Sequence, residues 1–155
     1  MSASALEREV SGLDYLQRIV AGEIPGVPIG ETLGFRVVEA HSGRVVIAGR
    51  PDARSSNLIG TIHGGWAASV LDTAMALAIL ATLDARHDFT TLDIKVNYLR
   101  PIAAGTEVRA EAWVVHGGRR VALSEGQILD PEGKRLAHGT STCLILPRSA
   151  TREAA

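Results

Sequence analysis

Residues 57–83, NLIGTIHGGWAASVLDTAMALAILATL, decide the fold of this chain. The stretch begins as a polar loop interrupted by glycine, and from residue 64 onward it is almost continuously apolar. A run of this length without a helix breaker is typical of a helix, and apolar residues on every side are typical of a buried one. We therefore predict a central buried helix that begins near Gly64, with Asp72 as its one ionisable residue.

The composition predicts a single globular domain without a general affinity for polyanions. The chain has 155 residues and a formal net charge of −1, so no strong global field draws it to nucleic acid or to a membrane. One cysteine, Cys143, excludes an intrachain disulfide, and the first residues lack a signal-peptide pattern. A membrane span over residues 64–83 is disfavoured because Asp72 near its centre costs about 2.5–3.5 kcal/mol. We expect a cytoplasmic protein.

The segment before this stretch predicts a helix and a hairpin. Residues 5–22 have an amphipathic pattern, with Leu13, Leu16, Ile19 and Val20 on one face and a stop at Gly22. Residues 23–34 contain prolines and glycines and are predicted to be a loop. Two short β-rich runs follow, joined by a turn at residues 41–43.

The segment after this stretch predicts four strands in a meander, with turns at residues 104–105, 117–118 and 130–133. In the first strand Leu92, Ile94, Val96 and Tyr98 alternate with polar residues, which predicts one buried face. The fold class is therefore α+β: an antiparallel sheet wrapped around one long helix, with an extra N-terminal helix. We expect an N-terminal helix and loop (1–30), a main domain (31–147) and a polar tail (148–155), with sheet edges open to dimerisation.

Asp72 is the first candidate for chemistry. Its neighbours at helical spacing are Ala68, Ser69, Met75 and Ala76, and none of them can form an ion pair. A lone carboxylate among small apolar residues is costly unless it is bonded or used. One interpretation is a structural carboxylate bonded to backbone or to a distant basic residue. The interpretation we favour is a catalytic base or nucleophile.

The loop before the helix supplies the second candidate. His63, Gly64 and Gly65 lie where the helix starts, and free N–H groups at a helix start can donate to a developing oxyanion. The alternative is a glycine pair needed only for a tight turn. Asn57 carries a neutral amide that can bond a carbonyl or a water, although asparagine is also a common loop former.

These residues together resemble a known family. The pattern Asn57-x-x-Gly60-x-x-His63-Gly64-Gly65, followed by Leu71-Asp72-x-Ala74, is similar to the signature of PaaI-like acyl-CoA thioesterases. These enzymes belong to the hotdog-fold superfamily and are 4-hydroxybenzoyl-CoA thioesterase-like. The hairpin at residues 30–51 and the strands at residues 90–142 also resemble the family.

The resemblance implies a mechanism and an assembly. Asp72 would attack the thioester or activate a water, Asn57 of a partner subunit would orient the reactants, and the N–H of Gly64 or Gly65 would polarise the carbonyl. Thr91 would assist the water, and His63 would shape the loop. The substrate would be a small-molecule acyl-CoA, with coenzyme A as part of the substrate and no separate cofactor. The protein would be a homodimer or a dimer of dimers, with each active site at a subunit interface.

The remaining candidates concern substrate binding. Arginine can bind phosphate through two nitrogens, so the basic groups near two predicted turns are candidates for the CoA phosphates; their alternative is ordinary surface charge. Small polar residues on the last strand could line a path for pantetheine, and apolar residues near the helix start could line the acyl pocket. The candidates are Arg119, Arg120, Lys134, Arg135, His138, Gly139, Thr140, Trp66, Met75, Ile62 and Leu58.

Other functions fit the pattern less well. The sequence has no GxSxG and no GxGxxG, and its histidines lack metal-ligand spacing, so no metal site is expected. Two alternatives stay open: a hotdog-fold enoyl-thioester hydratase or dehydratase, and a non-catalytic acyl-CoA-binding module. The short spacing from His63 to Asp72, without proline, favours hydrolysis over hydration. The presence of both Asp72 and Asn57 favours an enzyme over a binding module.

Overall fold

The computed structural model describes residues 10–148. Helix α1 covers Gly12–Val20, begins at Ser11, whose hydroxyl accepts the N–H of Asp14, and is followed by Gly22 at φ +75°. This confirms the predicted helix stop. The predicted range was wrong at residues 10–11, which precede the helix because Ser11 is its N-cap, and residues 5–9 lie outside the described residues. The predicted apolar face is correct except at Val20, which is 40% exposed.

A short helix, α2, covers Pro28–Leu33 in the segment predicted to be a loop. The prediction was wrong because proline and glycine lie at the two ends of this helix, where they favour a start and a stop. Pro28 is its first residue, and Gly34 ends it in the left-handed conformation at φ +74°.

Six strands form one antiparallel sheet: β1 (Phe35–His41), β2 (Arg44–Gly49), β3 (His87–Tyr98), β4 (Val108–Gly117), β5 (Val121–Leu129) and β6 (Arg135–Pro147). Their order across the sheet is β1-β2-β4-β5-β6-β3. The hairpin at residues 41–43 is confirmed. The predicted four-strand meander was wrong for β3. This strand lies at the sheet edge and pairs with β6 instead of with β4. Pro101 lies in the crossing connection between β3 and β4, where no ladder hydrogen bond is needed.

Helix α3 covers Gly64–Leu80 and packs against every strand of the sheet. Eleven of its residues are buried, which confirms the central helix. Val108, Ala110 and Ala112 on β4 are buried and belong to the hydrophobic core around this helix. Gly126 and Gly139 allow close approach, because a Cβ at either position would lie 3.0–3.2 Å from the side chain of Met75. Within residues 10–148 no helix is long and apolar enough to cross a membrane.

Strand β3 differs from its predicted burial. A bulge between Thr91 and Asp93 shifts the register against β6, and Leu92, Ile94 and Tyr98 are 38–56% exposed in the isolated subunit. Alternation alone predicted that these side chains face the core of the subunit. Because β3 is an edge strand with exposed apolar side chains, it offers both unpaired backbone groups and apolar surface for a second chain.

Candidate active site

The start of α3 presents one capped and one free backbone donor. Nδ1 of His63 accepts the N–H of Gly65 at 2.8 Å. Trp66 donates its own N–H to the His63 carbonyl at 2.9 Å. The N–H of Gly64 forms no hydrogen bond within residues 10–148. The two glycines therefore differ: Gly65 is held by the loop histidine, and Gly64 keeps a donor at the positive end of the helix.

A cavity of about 390 Å³ opens beside Gly64. The phenolic hydroxyl of Tyr98 donates to the Gly64 carbonyl at 3.0 Å, and its ring lies against the glycine so closely that a Cβ there would be 3.0 Å from Cζ. Arg100 also lines the cavity, together with Asn57 and Ala137. Sequence analysis missed Tyr98 and Arg100 as site residues. The available signal was an aromatic and a basic residue at the end of a strand, just before Pro101.

Asn57 organises the loop that leads into the helix. Its side-chain oxygen accepts the N–H groups of Ile59 and Thr61, and its amide donates to the Thr61 hydroxyl at 2.9 Å. The loop-forming interpretation therefore applies within the subunit. The same loop holds Leu58 and Ile59 almost fully in solvent, with exposed fractions of 106% and 85%. Two such side chains on a well-bonded loop are typical of an interaction surface.

Asp72 lies on α3 opposite β3 and is half-buried. Its Oδ1 accepts a hydrogen bond from the hydroxyl of Thr91 at 3.1 Å. No salt bridge involves Asp72 within the described part of the chain. The partner is thus a strand hydroxyl, and within residues 10–148 the carboxylate has no bond to the backbone or to a basic residue. The structure therefore places Asp72 and Thr91, both predicted as site residues, in direct contact.

The two parts of the candidate site lie at different points along one helix. Gly64 and Asp72 are eight positions apart, which corresponds to about 12 Å of helix rise. A thioester carbonyl needs its nucleophile and its oxyanion donor each within about 3 Å of the reacting group. A carbonyl bound at the Gly64 N–H is therefore not in direct contact with the Asp72 carboxylate of the same subunit.

Four residues predicted to contact substrate lie in the core, and one of them, Ile62, is 6% exposed and also lines the cavity beside Gly64. Trp66 is 3% exposed, packs against Gly49, and donates its indole N–H to the Leu33 carbonyl at 2.7 Å. Met75 is fully buried, and Gly139 is buried beneath it. Within the isolated subunit these residues pack the helix against the sheet.

The other predicted binding residues are spread along the sheet. His138 and Thr140 lie on β6, and Nε2 of His138 is 3.9 Å from Glu125. His138 neighbours the cavity-lining Ala137 in the chain. Arg119 and Arg120 are exposed in the β4–β5 turn. That turn lies at the sheet end that holds Thr91, because Thr91, Cys143 and Ala122 are paired in one row across β3, β6 and β5.

Cys143 lies directly beside Thr91. It is buried, its Sγ is 3.9 Å from the Thr91 hydroxyl, and burial raises the pKa of its thiol. The thiol is therefore protonated at neutral pH. No cluster of three or more metal-binding side chains occurs among residues 10–148.

Comparisons with known proteins identify the family of this chain. The family model described as "Thioesterase superfamily" matches residues 59–137. Human acyl-coenzyme A thioesterase 13 is 27% identical over 107 residues, which cover 68% of this chain and 76% of that protein.

Solved structures give the same result. A variant of the phenylacetic acid degradation protein PaaI from Thermus thermophilus is 34% identical, with a TM-score of 0.71 over 76% of this chain and 98% of that one. A phenylacetic acid degradation-related protein from Ralstonia eutropha is 30% identical, with a TM-score of 0.76 over 84% and 98% of the two chains. The chain belongs to the thioesterase superfamily, as a PaaI-like hotdog-fold thioester hydrolase.

Proposed function

We propose that this protein hydrolyses an acyl-CoA thioester to a carboxylic acid and CoA, with Asp72 as general base. The observation that carries the proposal is the hydrogen bond from Thr91 to Oδ1 of Asp72. It holds the carboxylate in one orientation and leaves Oδ2 for a water. A lone pair on the Thr91 hydroxyl can accept a second hydrogen bond from the same water, which fixes its position.

The proposed step balances without a cofactor. Oδ2 of Asp72 takes a proton from the water while the water oxygen attacks the thioester carbonyl carbon. The resulting oxyanion accepts a hydrogen bond from the free N–H of Gly64. The C–S bond then breaks, and the CoA sulfur takes the proton from Asp72, so the carboxylate is restored and the free acid leaves.

We propose that the complete site forms between two copies of the chain. The separation of Gly64 from Asp72 along α3 supports an arrangement in which the oxyanion donor and the base of one site come from different subunits. Exposed Leu58 and Ile59 in the loop, and Leu92 and Ile94 on the β3 edge, supply apolar surface for this pairing. We also propose that such dimers can pair further into tetramers. The proposed location of the protein is the cytoplasm.

Arg100, a basic residue of the cavity beside Gly64, is proposed to bind a CoA phosphate. Arg100 lines the cavity next to Gly64, and its guanidinium donates to the Arg135 carbonyl. An acyl-CoA whose carbonyl meets the Gly64 N–H would extend its CoA portion past these residues. Arg119 and Arg120, predicted from sequence, lie in the β4–β5 turn and would serve a different path.

A substrate panel with matched variants tests the proposal. Wild type and Asp72→Asn are assayed with acetyl-, decanoyl-, palmitoyl- and phenylacetyl-CoA by following loss of the thioester absorbance. We expect wild type to turn over at least one member, and Asp72→Asn to lose about 10²–10⁴-fold in kcat. Glu31→Gln, which changes an exposed carboxylate on α2, is the control and is expected to keep near wild-type kcat.

The alternatives give different results in the same panel. Tight acyl-CoA binding without turnover by wild type would indicate a binding module. Hydration of crotonyl-CoA without CoA release would indicate a hydratase. A single turnover in isotopically labelled water separates general-base from nucleophilic catalysis, because direct attack by Asp72 places an unlabelled enzyme oxygen in the first acid released.

A further inference from the structure

The carboxylate of Asp72 is the end of a short row of polar groups between α3 and the sheet. Thr91 and Cys143 are directly opposite each other in the β3–β6 ladder. The Thr91 hydroxyl lies 3.1 Å from Oδ1 of Asp72 and 3.9 Å from Sγ of Cys143. The row therefore runs from thiol to hydroxyl to carboxylate.

The number of available protons limits which group can donate each hydrogen bond in this row. An ionised carboxylate can only accept hydrogen bonds, and a threonine hydroxyl has a single proton to give. Thr91 gives that proton to Asp72, so its contact with Cys143 can be satisfied only if the thiol is the donor. The other neighbour of the thiol, Ser141, is also 3.9 Å away and directs its own hydroxyl proton to the Asp93 carbonyl at 3.3 Å, so the single S–H proton can be given to either hydroxyl oxygen.

We propose that Cys143 is a positioning residue of the catalytic site, whose S–H donates to the Thr91 hydroxyl and thereby commits the Thr91 proton to Asp72. Without that donor, the Thr91 hydroxyl rotates toward other acceptors, among them the attacking water. The inference rests on the proposed function, since it assigns a role to the bond that orients Asp72. Serine at this position would keep the donor, and alanine would remove it.

A double-mutant cycle in kcat tests the proposal. Wild type, Cys143→Ala, Thr91→Val and the double variant are assayed with the best substrate of the panel. We expect Cys143→Ala to lower kcat about two- to tenfold with little change in KM, Thr91→Val to lower it roughly tenfold or more, and the double variant to match Thr91→Val alone. Cys143→Ser is expected to restore the wild-type kcat.

Controls separate positioning from packing. Ile145→Val removes one methylene from the same buried face of β6 and is expected to leave kcat unchanged. If Cys143→Ala does not fold, Cys143→Val removes the donor while filling the space. Independent effects of the Cys143 and Thr91 substitutions, or a Cys143→Ser variant as slow as Cys143→Ala, would overturn this inference and leave the proposed function intact. A wild-type protein that hydrolyses no member of the panel would instead refute the proposed function.

Discussion

The imidazole of His63 accepts the N–H of Gly65 at 2.8 Å and so caps the helix that begins one residue after the histidine. The capping bond occupies one of two adjacent glycine donors and leaves the Gly64 N–H available. In the proposed mechanism this histidine acts on the backbone, and the base is a carboxylate on the same helix. The prediction that His63 shapes the loop agrees with this contact.

The first prediction concerns this cap. His63→Ala removes the acceptor of the Gly65 N–H and is expected to lower the free energy of unfolding by about 1 kcal/mol. His63→Asn is the matched control, because asparagine is a good N-cap residue and should recover most of the loss. Urea unfolding of the two variants measures the difference, and equal destabilisation by both would contradict a capping role.

The second prediction concerns recognition of CoA. Arg100→Ala is expected to raise KM for acyl-CoA about fivefold to fiftyfold with kcat nearly unchanged, because it removes a charged donor that binds ground and transition states alike. Arg119→Ala removes the same charge from the β4–β5 turn. Steady-state kinetics on both variants decides between the two proposed phosphate sites: a larger KM effect for Arg119→Ala would move the CoA path to the turn.

The third prediction concerns packing under the central helix. A Cβ at Gly126 would lie 3.0 Å from Cγ of Met75 and 3.3 Å from both Leu71 and the Glu111 carbonyl. Gly126→Ala is therefore expected to cost about 1–3 kcal/mol of stability through overpacking. Gly117→Ala, whose Cβ meets nothing within 4 Å, is the control. Thermal unfolding should separate the two, and a Gly126→Ala variant as stable as the control would show that the helix shifts freely.

The fourth prediction concerns acid stability. The hydrogen bond from the Arg109 guanidinium holds the pKa of Glu39 below its ordinary value. A depressed carboxyl pKa stabilises the folded state above the unfolded-state pKa, and this contribution is lost as pH falls through the folded-state value. Glu39→Gln should therefore lower stability at neutral pH and reduce the loss between about pH 5 and pH 3.

Urea unfolding across that pH range measures the effect of Glu39→Gln. Arg109→Met removes the hydrogen-bond partner of Glu39, so the free energy of unfolding should depend less on pH over the same range. The pair lies on the exposed face of β1 and β4, so a small difference is expected, and added salt should reduce it further. If Glu39→Gln has the same dependence of stability on pH as wild type, the bond between Glu39 and Arg109 does not contribute to acid stability.

Structural features that depend on the local order of polar and apolar residues could be predicted from the sequence. The buried helix followed from an uninterrupted apolar run, and the 41–43 hairpin from turn residues between two β-rich segments. Asp72 stood out because nothing at helical spacing could pair with it. Those inferences need only a few residues on either side, which is the range over which periodicity and turn chemistry act.

Features that depend on distant pairing were not predictable in the same way. The placement of β3 against β6 is decided by how the sheet closes around α3, and alternation in β3 gives no information about its partner. The contacts of Tyr98 with Gly64 and of Cys143 with Thr91 join residues 34 and 52 positions apart. Thr91 was identified only through family resemblance, because a threonine in a strand is unremarkable by propensity.

The burial of Trp66 gives the molecule a built-in optical reporter. Its indole is bonded to the Leu33 carbonyl and lies within three residues of the capped helix start, while the only other tryptophan, Trp113, is on β4. The backbone N–H of Trp66 is bonded to the His63 carbonyl at the helix start, so we expect that CoA bound beside Gly64 alters the emission of this ring. Trp113→Phe would isolate that signal, and binding could then be followed without labelling or turnover.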